Sequence, residues 1–471
     1  PATGAKPAHG PGVNPAKKAP SHSEDISSHV KTSRDFLSGL KKTDGSPAVL
    51  EFDKFKPDPS DTTHTPEDQF FWHKMGEQLD SLYKGGKLTA EARNSVKDVP
   101  EPILEKTVDV EGMEPKKFNG PLSDDGYAKY SYGTFGYPIV KYFKEVWPGV
   151  GPFVPGQVLL RKTEEALNPD GDIKLYQIIQ AASQTNGLES INESHSPLNI
   201  QKVDHSQGPT VCSQSLTSWI KREAMYEDGN LPDSAADLLE YLVKEGVIEE
   251  SSDYGEPYYK VTDSYTIDSD DLFYMNGYLR PSVLNDTGKA ILAMAISKNL
   301  AGYMSQRSLS DEDVGNNHGN KQKTAFTMSF SAAMSYQGQT RPQDNVSYAM
   351  NYMWVYPQFE NVVKDGIRAS ANLSDDHLVV VHLTGLGQFN FRNPPGIHQV
   401  ALNNIVKKYE SKLKQKNILI IAHWERISDD NVSSYTTQIK DGIGKIEQSY
   451  NGHKQLGFGH GQSVDVGKFF A

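Results

Sequence analysis

The chain has 471 residues, 37% of them apolar, which suits two domains or one large domain with an extended arm. Its formal net charge of -12 excludes broad attraction to a nucleic-acid backbone, because that needs a basic face that releases counterions. The single cysteine, Cys212, excludes an intrachain disulfide and a cysteine-based zinc site, and it suits a reducing compartment such as the cytoplasm.

In chain order, residues 1–24 are rich in Pro, Ala, Gly, Lys and His without apolar periodicity. They read as a flexible arm whose Lys17 and Lys18 can touch an acidic protein partner, or as a solvated tail. No apolar signal core opens the chain, and no run of about 18 apolar residues marks a membrane span. Residues 25–155 read as a mostly helical or irregular N-terminal extension packing on the core. Within it, 68–83 has helical spacing through Phe70, Phe71, Met75, Leu79 and Leu82. An aromatic cluster follows, from Tyr127 to Trp147, suited to a core, a subunit contact or an adenine stack.

From residue 156 the pattern becomes α/β, and 156–471 is expected to form one α/β domain. Residues 158–160 and 175–182 are short apolar runs, as buried strands are. Residues 215–226 and 234–244 read as helices, the second capped by Asp233 or Ser234. Asp286 and Thr287 can cap a helix over 288–303. The acidic stretches 268–271 and 311–313 read as solvated loops rather than Mg²⁺ sites, and 311–323 as a loop. Residues 325–334 read as a strand or buried segment, and 359–369 as a helix.

The clearest unit comes next. Residues 377–383 form an apolar strand, 384–395 a loop bearing Gly and Asn, 396–414 an amphipathic helix and 417–422 a second buried strand: a βαβ unit. In an open α/β sheet, ligands bind beyond the carboxyl ends of the strands. The loop Thr384-Gly385-Leu386-Gly387-Gln388-Phe389-Asn390 lies at such an end. Its glycines allow backbone amides to approach an anion, and the next helix adds its positive end. A tight turn uses the same glycines, so the pattern alone leaves both readings open. A third glycine and a Gly-Lys-Ser/Thr sequence are both missing, which excludes a dinucleotide fingerprint and an NTPase loop. Asp204 and His205 offer an acid–base pair, although neighbours on extended chain point opposite ways. His382, His398 and His423 lack metal spacing and read as structural, and the methionines as core.

Three segments in order carry a resemblance. They are Gln180-Ala181-Ala182-Ser183-Gln184-Thr185-Asn186-Gly187-Leu188-Glu189, then Ser206-Gln207-Gly208-Pro209, then the 384–390 loop. Together they resemble the macrodomain branch akin to poly-ADP-ribose glycohydrolases, with its "ASQFNxLE" segment, "TQGP" turn and late "GGGAFGN" loop. A bacterial effector that hydrolyses ADP-ribosyl-ubiquitin sits near this group. Thr185 stands where the pattern has Phe, the loop is poorer in glycine, and the paired glutamates of glycohydrolases are not found. The resemblance implies a macrodomain-like mixed sheet flanked by helices, binding ADP-ribose or an ADP-ribosylated protein in the cytoplasm, or in a host cytosol if the chain is a secreted effector. It implies that Asn186, Glu189 and Asp204 are the catalytic candidates if the chain is an ADP-ribosylhydrolase. Gln180, Ser183, Gln207, Gly208, Thr384, Gly385, Gly387, Gln388, Phe389 and Asn390 would hold the ligand. No cofactor, metal or membrane is expected. The alternatives are a non-catalytic reader and a structural or interaction protein on a degenerate macrodomain.

Overall fold

A computed structural model describes residues 56, 58–60, 82–84, 87–98, 103–104, 109–116, 118–120, 139–141, 167–168, 170–185, 187–188, 191–192, 203–204, 216–230, 236–251, 258–261, 273–275, 278–303, 306–309, 325–338, 340–388, 391–414, 417–424 and 426–455. Seven strands build its main sheet: β1 (Ile103–Leu104), β2 (Ile139–Lys141), β3 (Lys174–Ser183), β4 (Gln306–Leu309), β5 (Ala325–Ala332), β6 (His377–Thr384) and β7 (Ile418–His423). They lie in the order β1-β4-β5-β3-β6-β7-β2. The central four, β5, β3, β6 and β7, are parallel, and β2 adds in parallel at one edge. At the other edge β4 runs antiparallel to β5 and to β1. Both outermost strands come from the 25–155 extension, which therefore pairs with the outer side of β4 at one edge and of β7 at the other.

The described helices are α1 (Ala90–Ser95), α2 (Leu216–Glu227), α3 (Ala236–Lys244), α4 (Asp286–Tyr303), α5 (Asn345–Asn372), α6 (Pro395–Lys408), α7 (Glu410–Leu413) and α8 (Asp429–Gln455). The apolar runs of β6 and β7 follow from burial on both faces. Val379, Val381, Leu383, Ile418, Ile420 and Ala422 join the large core under α4, α5, α6 and α8. Leu378, Val380, Leu419 and Ile421 alternate with them and join a second cluster with Phe118, Leu167, Ile173 and Leu175. On the first face α5 approaches closely because Gly366 has no side chain: a Cβ there would meet Val381 Cγ2 at 2.5 Å.

The βαβ unit over 377–422 forms with parallel strands. Strand 175–182 and helices 215–226 and 234–244 appear with ends moved by one or two residues. Several expectations need correction. Tyr83, placed at the end of a helix, is in a two-residue strand paired with Lys87–Leu88. Helix α4 begins at Asp286 with Asn285 ahead of it, whose Oδ1 accepts from Gly288 N at 2.8 Å, so Asn285 rather than Asp286 or Thr287 supplies the cap. The helix expected over 359–369 is 28 residues long, starts behind the Asp344 cap and contains Pro357. Helix 396–414 breaks at Tyr409 into α6 and α7. Leu82 is a buried turn residue, while 68–81 of that helix, the 158–160 strand, the 1–24 arm, the two acidic loops, the Asp233 and Ser234 cap and the aromatic cluster lie outside the described residues.

Candidate functional site

Four parallel strands send their carboxyl ends to one edge, and the registers align them there. Ala332 pairs with Ser183, His382 with Ile179 and Thr384 with His423. The segment after β3 and the loop after β6 are therefore neighbours. One buried side chain joins them: Gln180 Oε1 accepts from Thr384 N at 3.1 Å, and its Nε2 donates to Ser331 Oγ at 3.0 Å. Gln180, expected to meet the ligand, thus braces three strands beneath the edge. The end of β5 is fixed in the same manner from α5. Gln358 Oε1 accepts from Ala332 N at 2.9 Å, and Trp354 Nε1 donates to Ala332 O at 2.7 Å.

The glycine loop folds tightly on itself. Leu386 N donates to Thr384 O at 2.9 Å and Gln388 N to Gly385 O at 3.0 Å. Leu386 is buried in the core and its carbonyl accepts from His398 Nε2 at 2.9 Å. Gly387 has φ of +67°, and a Cβ there would lie 2.2 Å from Asn393 Nδ2 and 2.6 Å from Ala333 Cβ. Only glycine meets both demands. Asn393 Nδ2 donates to Met334 O at 2.7 Å, and Tyr336 N to Phe391 O at 3.0 Å, so the loop lies along the chain leaving β5. The Gln388 side chain turns back over Gly385, where a Cβ would be 2.6 Å from its Cδ. Its Nε2 is buried without an acceptor, and so are Ser183 Oγ, without a partner, and Asn393 Oδ1, without a donor. Buried polar atoms are normally satisfied, and these three lie together at one strand edge.

The turn after β3 closes through Gly187 N, which donates to Gln184 O at 3.0 Å. Arg222 of α2 is fully buried, donates to Gly187 O and stacks its guanidinium carbon 3.9 Å from the Phe330 ring centroid. Its neighbour Glu223 is buried too. Burial first, and then the charge of Glu227, pushes its carboxyl up to about 8, so it is protonated at neutral pH.

Behind the edge lies a polar row on the second face of the sheet. His382 Nε2 donates to Gln177 Oε1 at 2.7 Å, and His423 Nε2 donates to His382 Nδ1 at 2.9 Å, which assigns both tautomers. Burial lowers His423 to about 3 and His398 to about 4, and burial together with the neighbouring His423 holds His382 well below the usual imidazole range. All three are neutral imidazoles at physiological pH and occupy the interior. Among the described residues no group of three or more His, Cys, Asp or Glu is placed to hold a metal ion. No helix among them is long and apolar enough to cross a membrane.

Of the residues expected at the site, Gln180, Ser183, Thr384, Gly385, Gly387 and Gln388 come together at this edge. Asp204 belongs to a small hairpin, Val203–Asp204 paired with Ile191–Asn192. Asn186, Glu189, Gln207, Gly208, Phe389 and Asn390 lie outside the described residues. Sequence reading missed Arg222, at the turn after β3, and Arg341, at the glycine loop. Arg341 precedes α5, is exposed, and donates from Nη2 to Gln388 O at 3.1 Å. No motif or spacing in the sequence connects these two to the site. Compared with known proteins, the chain matches no family model, no curated protein and no solved structure.

Proposed function

We propose that this chain binds ADP-ribose at the carboxyl edge of β3 and β6, as a macrodomain-like protein acting on ADP-ribosylated proteins. One observation carries the reading. Two of the three segments that resemble macrodomain motifs leave adjacent parallel strands at the same edge, joined by the Gln180–Thr384 hydrogen bond. The unpartnered Ser183 Oγ and Gln388 Nε2 supply polar atoms that a ligand can satisfy. A non-catalytic structural or interaction protein on a degenerate macrodomain is the second reading. It is favoured by the Gln388 side chain over Gly385 and by the loop amides of Leu386 and Gln388, which bond within the loop.

Titration calorimetry with ADP-ribose separates these readings. Saturable heat is expected for a binder, and silence up to millimolar ligand would sink this proposal. A carboxylate at Gly387 is a poor control, because any side chain there strikes Asn393 and Ala333. Gln388→Glu keeps the shape and replaces the buried donor by a negative charge, so loss of the heat is expected. Release of ADP-ribose from a modified peptide then separates a hydrolase from a reader.

A further inference from the structure

We propose that Arg341 is the anion-binding side chain of this edge, selecting a ligand for its diphosphate rather than for its nucleoside. The inference rests on the ADP-ribose reading above and names the group that reads the phosphates. The chain carries a net charge of -12, so its overall field does not draw an anion and attraction must be local. The loop's backbone supplies less than its glycines promise, since the amides of Leu386 and Gln388 bond to Thr384 O and Gly385 O. Helix α6 adds little more. Its first turn is packed, with a Cβ on Gly396 reaching 2.1 Å from the Tyr435 ring.

Arg341 supplies the missing charge. It is exposed, has no ion-pair partner among the described residues, and is tied to the loop by its bond to Gln388 O. One donor of a planar five-donor fork is used there, and the rest of the fork suits the paired oxygens of a phosphate. The same residue offers a second donor from its other end. Gln388 Nε2 is buried over Gly385 with no acceptor. A phosphate oxygen in the loop would accept from Gln388 Nε2 while its neighbour meets Arg341. Charge-assisted bonds of this type are the strong ones.

The test is calorimetry on the full chain with two probes, ADP-ribose and the phosphate-free adenosine, comparing wild type with Arg341→Gln. Because Arg341 is exposed, the variant should unfold at the wild-type midpoint. ADP-ribose affinity is expected to fall about 10- to 100-fold, with adenosine affinity unchanged. Equal ADP-ribose affinity in the two proteins removes Arg341 while leaving the ADP-ribose reading in place. An equal fall for both probes also overturns the proposal, because it marks Arg341 as loop support. Wild type that binds neither probe defeats the ADP-ribose reading and this inference together.

Discussion

Replacing Gly442 by alanine is expected to destabilise the protein by about 3 kcal/mol, the upper end of what overpacking a well-filled interior costs. The reason is where α8 crosses the start of α5. A Cβ on Gly442 would lie 1.9 Å from Asn345 O and 2.5 Å from Asn345 C, and 2.8 Å from Ala349 Cβ. The first two are backbone atoms in the opening turn of α5 and cannot swing aside. That turn is held from both helices, since Asp344 caps it through Ser347 N at 2.8 Å and Asn345 bonds Asp441 of α8. Gly444 is the control. It lies in the same helix with nothing within 4 Å, so Gly444→Ala is expected to stabilise by roughly 0.5–1 kcal/mol through helix propensity. Urea unfolding of the two variants checks this. Equal midpoints would mean that α8 does not meet α5 at Asn345.

Acidification is expected to destabilise the chain from pH 6.5 downward, before the ordinary carboxylates titrate. His382, His398 and His423 are buried and neutral, with folded pKa values lowered from 6.5, to about 4 for His398 and about 3 for His423. A depressed histidine gives stability that is complete above the unfolded value and is lost as pH falls below 6.5 toward the folded values. Glu223 works the other way. Its raised pKa makes the folded state gain stability as pH falls through about 8 toward 4.5. Each group contributes at most about 1.4 kcal/mol per pH unit, so three histidines against one carboxyl leave about 3 kcal/mol per unit below pH 6.5. Two units remove an amount comparable with the stability of a typical domain, about 5–15 kcal/mol. Geometry gives the same sign, because a proton added to His382 Nδ1 faces the N–H of His423 and breaks their bond. Urea midpoints at pH 7.5, 6.0 and 5.0 should fall steeply, and a flat series would contradict the buried, neutral row. His423→Gln should shallow the slope.

The parts of the fold legible in the sequence are those where one physical cause dominates. β6 and β7 read as apolar runs because both faces are covered, and the loop between them stands out by its glycines. The sequence pattern marks well under half of helix α5, 359–369 out of 28 residues. The helix is buried on nearly all sides and carries Asn351, Gln358, Asn361, Asp365 and Ser370 inside, so its apolar stripe has no polar face to contrast with, and Pro357 looks like a stop. Strands β1 and β2, of two and three residues, are too short to show alternation. At the site, the glycine loop and the end of β3 were visible as local patterns. Arg341 was not, because it reaches the loop only through the path of the chain from Met334 and Tyr336 alongside Phe391 and Asn393. Gln180 shows the reverse: a residue in a motif whose amide is engaged in joining strands.

Hydrogen–deuterium exchange of the full chain, with and without saturating ADP-ribose, locates the ligand most directly. Slowed exchange is expected together in peptides covering 183–188 and 384–394, with α8 unchanged. Binding heat accompanied by protection elsewhere, or by none in these two segments, would contradict a ligand site at the carboxyl edge of β3 and β6.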